Sequence, residues 1–429
     1  MTGASVASAS GGLGANYRRL WTSSAAANLA DGIFQVALPL MAVSLTTSPG
    51  LVAGVSIASR LPWLVFVLVA GALADRLDRR ITMRNVQVLR VTVLGALALL
   101  AVAGGLSLPV LYLAAFVLGV GETLFDTAAQ SIMPNIVSRE QLSVANGRLY
   151  AVEVAMNQFI GPPLGGFLVA ISVPLALAGS VLAYALAALG LAVMVGTFRA
   201  ASDRPRASMV SEIREGMRYL LHHRVLRPLA IMVAVSNLTS AAVFAVFVVF
   251  AVEPGPMGLD AFGFGLLMTG FAAGAIVGTV TEPAAERWLG RSNVLFLTVI
   301  VTSASMLVPA LTPNAVAVFT AMAVSGVMMM WWNIITVSLR QRIAPDRLLG
   351  RVNAGYRFFA WGTMPIGALL GGLVAEVFGV AAVFVAAGLG GLTMLVFRTV
   401  LSDAAIDAAE LPPDAGDGPL RSGEVAGPD

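Results

Sequence analysis

Asp31, Arg60, Arg90, Glu122, Asp126 and Glu153 are ionisable residues set inside long apolar stretches, all in the first half of the chain. Charges so placed are costly in a membrane interior, and they mark ion pathways, proton relays or paired networks. Asp31 and Arg60 each lie about 11–12 residues from the inner end of their stretch, roughly 16–18 Å at helical rise. That is close to the midplane of a hydrocarbon core about 30 Å thick. An Asp31–Arg60 pair is therefore expected, and Arg90 with Glu122, at similar depths on the next two stretches, makes a second candidate pair. A carboxyl beside an arginine ionises readily, one buried alone holds its proton, and a proton carrier has to titrate near neutral pH. Glu122 and then Glu153 are thus the preferred proton-coupling residues. Asp31 stands equally as a coupling site and as a structural pair, and Asp126 reads as structural.

Other chemistries are excluded by what is missing. There is no cysteine, and every one of the 26 residues counted as Lys or Arg is arginine. Disulfides, thiolate sites, a phosphate-loop lysine and a Schiff-base lysine all drop out. His222 and His223 are adjacent in a polar connector, a poor arrangement for a metal. With no nucleophile–base set, the chain is not expected to be an enzyme. No metal or cofactor is expected, only a coupling ion, the proton.

The elements that position these charges are legible from composition. Residues are 58% hydrophobic and only 11% charged, whereas soluble domains carry about 25% charge. The 429 residues allow about a dozen spans of ~20 residues. Twelve apolar segments run roughly over 20–45, 50–72, 82–104, 108–130, 146–171, 174–197, 228–252, 262–284, 293–312, 314–338, 350–374 and 378–400, their ends loose by a few residues. Segments of this length in lipid are helices. The odd-numbered connections contain no arginine; the even-numbered ones hold Arg76, Arg79, Arg80, Arg139, Arg287, Arg291, Arg340, Arg342 and Arg347, besides those of the 199–227 connector. Arginine-bearing loops stay cytoplasmic, so both termini are expected inside, in the plasma membrane. The basic pI of about 9.7 reflects this scattering and not a nucleic-acid surface. Residues 1–16 and 401–429 read as disordered ends, 17–198 and 228–400 as two six-helix bundles, and 199–227 as a cytoplasmic linker. Within the linker, Ile213, Met217, Leu220 and Leu221 recur at helical spacing, either as an amphipathic helix on the membrane surface or as a solvated linker helix.

An internal repeat supports the two bundles. IVSREQLSVANGR at 136–148 matches IAPDRLLGRVNAG at 343–355, pairing Asn146 with Asn353, and GPPLGG at 161–166 matches GALLGG at 367–372. Parallel repeats half a chain apart imply halves related by an axis along the membrane normal. In the first half Pro162 and Pro163 should bend the fifth helix, and Gly161, Gly165 and Gly166 should admit a close neighbour.

GALADRLDRR at 71–80 resembles the loop signature between helices 2 and 3 of the major facilitator superfamily, carrying Gly71, Leu73, Ala74, Asp75, Arg76, Arg79 and Arg80. It departs at Asp78, where glycine is usual, and its context is similar to the branch of enterobactin and macrolide exporters. GPPLGG resembles that superfamily's antiporter signature; the exporter arginine of helix 4 is absent, Ala115 standing about where it would be. The resemblance implies an all-α membrane protein of twelve helices in two bundles, working by alternating access. It also implies a cytoplasmic gate of Gly71, Asp75, Arg76, Arg79, Arg80 and Asp126, with Asp75 near the dipole of helix 11 and Arg79 reaching Asp126. Helices 1, 4, 7 and 10 of that superfamily line the cavity, which points to Asn28, Gln35, Asn237, Phe244, Met329, Trp331, Trp332 and Asn333 beside Asp31 and Glu122. An acidic, aromatic, methionine-rich cavity suits bulky amphiphilic solutes, cations included. The implied activity is export of such molecules, drug- or siderophore-like, by proton antiport from a monomer in lipid. Rival readings are a symporter or facilitator importing a nutrient, and a membrane sensor that transports nothing.

Overall fold

The computed structural model describes residues 13–410, apart from 77, 134–135, 139–140, 197 and 199–208. Among the described residues, twelve helical spans are long and apolar enough to cross a membrane. In the first half these are α1 (Gly14–Leu45), α2 (Pro49–Arg76), α3 (Arg79–Val102), α4 (Leu108–Ile132), the composite of α5 (Leu142–Val154) and α6 (Gly161–Ile171), and α7 (Val173–Ala192). α8 (Met209–His222) belongs to the linker. The second half has α9 (Leu226–Ala251), α10 (Ala261–Leu289), α11 (Arg291–Leu311), α12 (Ala315–Ile343), the composite of α13 (Asp346–Gly362) and α14 (Met364–Phe378), and α15 (Val380–Leu392). A short α16 (Asp403–Glu410) follows. An even number of crossings returns the chain to its starting face, which also carries the arginine-bearing turns.

Helix ends are set by local polar residues. Ser172 accepts from Leu175 N, Asp260 from Gly263 N, and Asn314 from Val316 and Ala317 N, so the donors orphaned at three helix starts are satisfied. Asp78 caps α3 by accepting from Ile81 N, and its other oxygen accepts from Phe198 N at 2.9 Å. The residue that departs from the family signature thus ties the start of α3 to the segment after α7.

Packing differs between the two faces. On the face opposite the termini, one apolar cluster draws on both halves, joining Ile33, Leu38 and Met41 to Phe247, Phe250, Phe264 and Phe384. On the arginine-bearing face each half keeps its own core, one around Tyr17, Met83 and Ile132, the other around Leu226, Phe296 and Leu339. The halves are therefore sealed together at one end.

Four expectations are corrected. The linker helix turns its apolar face onto the second half and not to lipid or solvent: Leu220 is fully buried, Gly216 meets the backbone of Arg351, and Glu215 pairs with Arg351. Its apolar face is covered by α13; Ile213's side chain lies outside the described residues. The tail expected to be disordered from 401 begins with a helix, because Ile406 is buried and Glu410 binds Arg291 at 2.7 Å and Arg342 at 3.6 Å. Residues 14–16, assigned to the disordered N-terminus, already belong to α1. Arg340, counted among the loop arginines, lies within α12 and is 8% exposed.

Candidate functional site

Between the halves lies a cavity of about 900 Å³ lined by residues of both. It is closed on the far face by glycine-mediated crossings. The two prolines of GPPLGG supply no N–H to the turn before them, and the chain answers with a π-helical turn over Ala155–Ile160. Beyond it, a Cβ added to Gly161 would lie 2.6 Å from Gly32 Cα, and one on Gly165 2.9 Å from Ile33 Cα, so both need glycine to let α6 meet α1. Gly166 instead faces Ala261 and Gly265 of the other half. GALLGG repeats the pattern: Gly367 and Gly371 abut Leu238 and Ala242 of α9, and Gly372 meets Gly50 and Ala53 of α2. Beside that crossing, Glu376 accepts from Ser48 Oγ at 2.7 Å and from Gly50 N at 3.1 Å. Deeper in, Trp63 and Trp361 meet edge to face with centroids 4.4 Å apart.

The charged residues of the first half converge on the cavity wall. Arg90, 2% exposed, lies 3.4 Å from Asp31, and Tyr184 donates its hydroxyl to the same carboxylate oxygen. The guanidinium sits over the rings of Tyr184, at 5.0 Å, and Phe125, at 5.6 Å. Glu122 lies within Coulombic reach of Arg60, Asp31 and Arg90. Asp31 is bound to Arg90, where the sequence reading pairs it with Arg60. Asp31, Arg60, Arg90 and Glu122 all line the cavity. Glu153 does not; it is exposed on α5, although still within Coulombic reach of Asp31.

Of the residues expected on the cavity wall, Gln35, Asn237, Phe244, Met329, Trp332 and Asn333 are there. Asn237 also donates to Ala360 O at 2.6 Å. Asn28 instead turns back along its own helix to Ser24 O, 2.9 Å, and Trp331 points to α10, donating to Thr281 Oγ1 at 3.0 Å. The two tryptophans diverge because neighbours on a helix point about 100° apart. Of the gate residues, Gly71, Asp75, Arg76 and Asp126 are helical, but their side chains lie outside the described residues. Arg80 donates to Met194 O, and Arg79 N donates to Phe198 O, so both also secure the α3 start within the first half.

The second half contributes charge as well: Arg357, which the sequence already places within its eleventh span, lines the cavity together with Arg340, which the sequence reading puts in a loop. Arg340 stacks 3.7 Å over the ring of Tyr356 and donates through Nε to Asn353 at 3.2 Å. Glu282, 3% exposed on α10, is a buried acid there; it lay within a marked apolar segment, and the rule that flagged Glu122 applies to it equally. Among the described residues the charged side chains on the wall are four arginines, Asp31 and Glu122, an excess of positive charge where the sequence reading expects an acidic wall.

A profile of the transmembrane secretion effector family matches residues 13–421. The multidrug efflux pump Tap of Mycolicibacterium fortuitum is 26% identical over 391 residues, 87% of this chain and 93% of that protein. Macrolide efflux protein A of Streptococcus pyogenes is 20% identical over 381 residues, 87% and 92% of the two chains. Among solved structures, the nucleoside transporter NupG superimposes with a TM-score of 0.69 at 14% identity, covering 90% of this chain and 98% of that one. A bacterial homologue of the iron transporter ferroportin in its inward-facing state gives 0.69 at 16% identity, with 90% and 98% covered.

Proposed function

The chain belongs to the transmembrane secretion effector family of the major facilitator superfamily, and from that membership we propose that it exports amphiphilic small molecules in exchange for protons. It is a multi-pass membrane transporter of the efflux type and not an enzyme. Export is supported by the efflux pumps it resembles, and amphiphilic cargo by a cavity that sets Phe244, Trp332 and Met329 beside charged groups. The observation that carries proton exchange is Glu122, a carboxyl on the cavity wall with Arg60 and Arg90 within Coulombic reach. Arg60 and Arg90 belong to the same half and move with it, so a tilt of the walls changes which face's water reaches the carboxyl, and a carboxyl cut off from water favours its protonated form. Glu153 and Asp31 are the secondary candidates, Asp31 being the more engaged through Arg90 and Tyr184.

The arginine-bearing turns support cytoplasmic termini in a plasma membrane, with the chain acting as a monomer whose partners are lipid and cargo. With the far face sealed, the cavity would then belong to an inward-facing stage of alternating access. In proteoliposomes, an imposed pH gradient should drive flux of labelled erythromycin or dansyl-labelled undecanoic acid. Glu122→Gln should retain downhill flux and lose the response to the gradient. Flux in the parent protein that ignores the gradient would refute proton exchange; full coupling in the variant would remove Glu122 from the role.

A further inference from the structure

Arg340 is a buried cation, 8% exposed, whose recorded side-chain partners among the described residues are the neutral Asn353 and Tyr356. Nε is used by Asn353 and the guanidinium face is covered by Tyr356, but Nη1 is buried with no hydrogen-bond partner. The Tyr356 hydroxyl is buried beside it. A buried guanidinium with only neutral groups recorded as partners is unusual, since buried charges are paired. A second cation, Arg357, lies within Coulombic reach and adds to the positive field. Both arginines and Tyr356 belong to the cavity wall, with Trp332 and Trp361 beside them.

We propose that Arg340 and Tyr356 form an anionic-headgroup subsite of the transport cavity, taking the carboxylate or phosphate of an amphiphilic cargo whose apolar body lies against Trp332 and Trp361. The claim rests on the reading that this cavity binds cargo. Arginine suits the task because its planar donors stay charged and match an oxyanion, while its face remains stacked on an aromatic ring. The aromatic walls alone do not distinguish an acid from its ester; Nη1 and the Tyr356 hydroxyl do.

The test uses the full chain in phosphatidylcholine nanodiscs, with dansyl-labelled undecanoic acid and its methyl ester as fluorescent probes. The parent protein should bind the acid about tenfold more tightly than the ester, the size of one charge-assisted hydrogen bond, and unlabelled undecanoate should displace it better than undecanol. Arg340→Met should erase the preference while leaving ester binding in place, which also shows that the variant is folded; Arg340→Lys should restore part of it. Equal binding of acid and ester by the parent, which needs no variant, overturns the subsite and leaves the export reading standing. A preference that survives Arg340→Met also overturns it. If neither probe binds the parent, the cavity reading fails and the subsite with it. Displacement of the acid by added phosphatidylglycerol would make a membrane lipid the occupant and overturn the assignment to cargo.

Discussion

Replacing Asp31 by asparagine removes one counter-charge from a guanidinium that is only 2% exposed. At 3.4 Å the attraction is about 5 kcal/mol for an effective dielectric of about 20. Breaking a buried pair from one side costs about 3–5 kcal/mol, because the remaining ion stays uncompensated. Asp31 keeps 30% of its side chain exposed to the cavity, and Glu122 remains within reach of Arg90, so the low end of that range, about 3 kcal/mol, applies. The reciprocal change is gentler. Arg90→Met leaves an aspartate that can take up a proton and still accept from Tyr184, whereas arginine cannot shed its charge. Asp31→Asn should therefore lower the midpoint of thermal unfolding in detergent by about 6–12 °C, using 2–4 °C per kcal/mol. Arg90→Met should cost less than half of that. The double variant should recover most of the Asp31→Asn loss, giving a coupling of about 2 kcal/mol in the cycle. Additive losses in the double variant would refute the argument, since they would mean that the two charges do not compensate one another.

The glycine crossings make a second prediction. Gly166→Ala or Gly372→Ala inserts a methyl group into the contact between halves, against Ala261 or Ala53, so each should open the far face and raise labelling of a cysteine placed nearby; Gly161→Ala, which collides with Gly32 inside one half, should lower stability without that gain. Asp78→Ala should cost about 1 kcal/mol for the α3 cap and more for the lost bond from Phe198 N, measurable as a lower unfolding midpoint, and Asp78→Asn should recover only part of it because the amide keeps one acceptor oxygen for two N–H donors.

The spans were legible because apolar length is a one-dimensional signal, and the repeat was legible because GPPLGG and GALLGG do the same mechanical work in each half. Pairing was not. Depth puts Asp31 level with both Arg60 and Arg90, and only the rotation of α2 and α3 about their axes decides which of them it meets. The linker helix failed for a related reason: Leu220 and Met217 announce an apolar face, but what covers it is a tertiary fact. Arg340 was assigned to a loop because hydropathy falls off before the helix does, and α12 continues to Ile343. Tyr184 carries no signal as a partner of Asp31, since one tyrosine among apolar residues reads as core.

The mechanical parts of the molecule obey its pseudo-symmetry, and the charged parts do not. In each half the first and fifth positions of the repeated motif seat one composite span against that half's own first helix, and the last glycine makes the crossing to the other half. A tilt about this seam moves both halves by the same contacts. Among the described residues, the acids of the cavity wall, Asp31 and Glu122, belong to the first half, while Arg340 and Arg357 stand on the wall of the second. If protons are taken up at Glu122 and cargo headgroups are held at Arg340, the two ligands rest on opposite walls and need never touch. Exchange between them is then carried by the tilt: each ligand biases which face is sealed, and neither has to displace the other from a shared site.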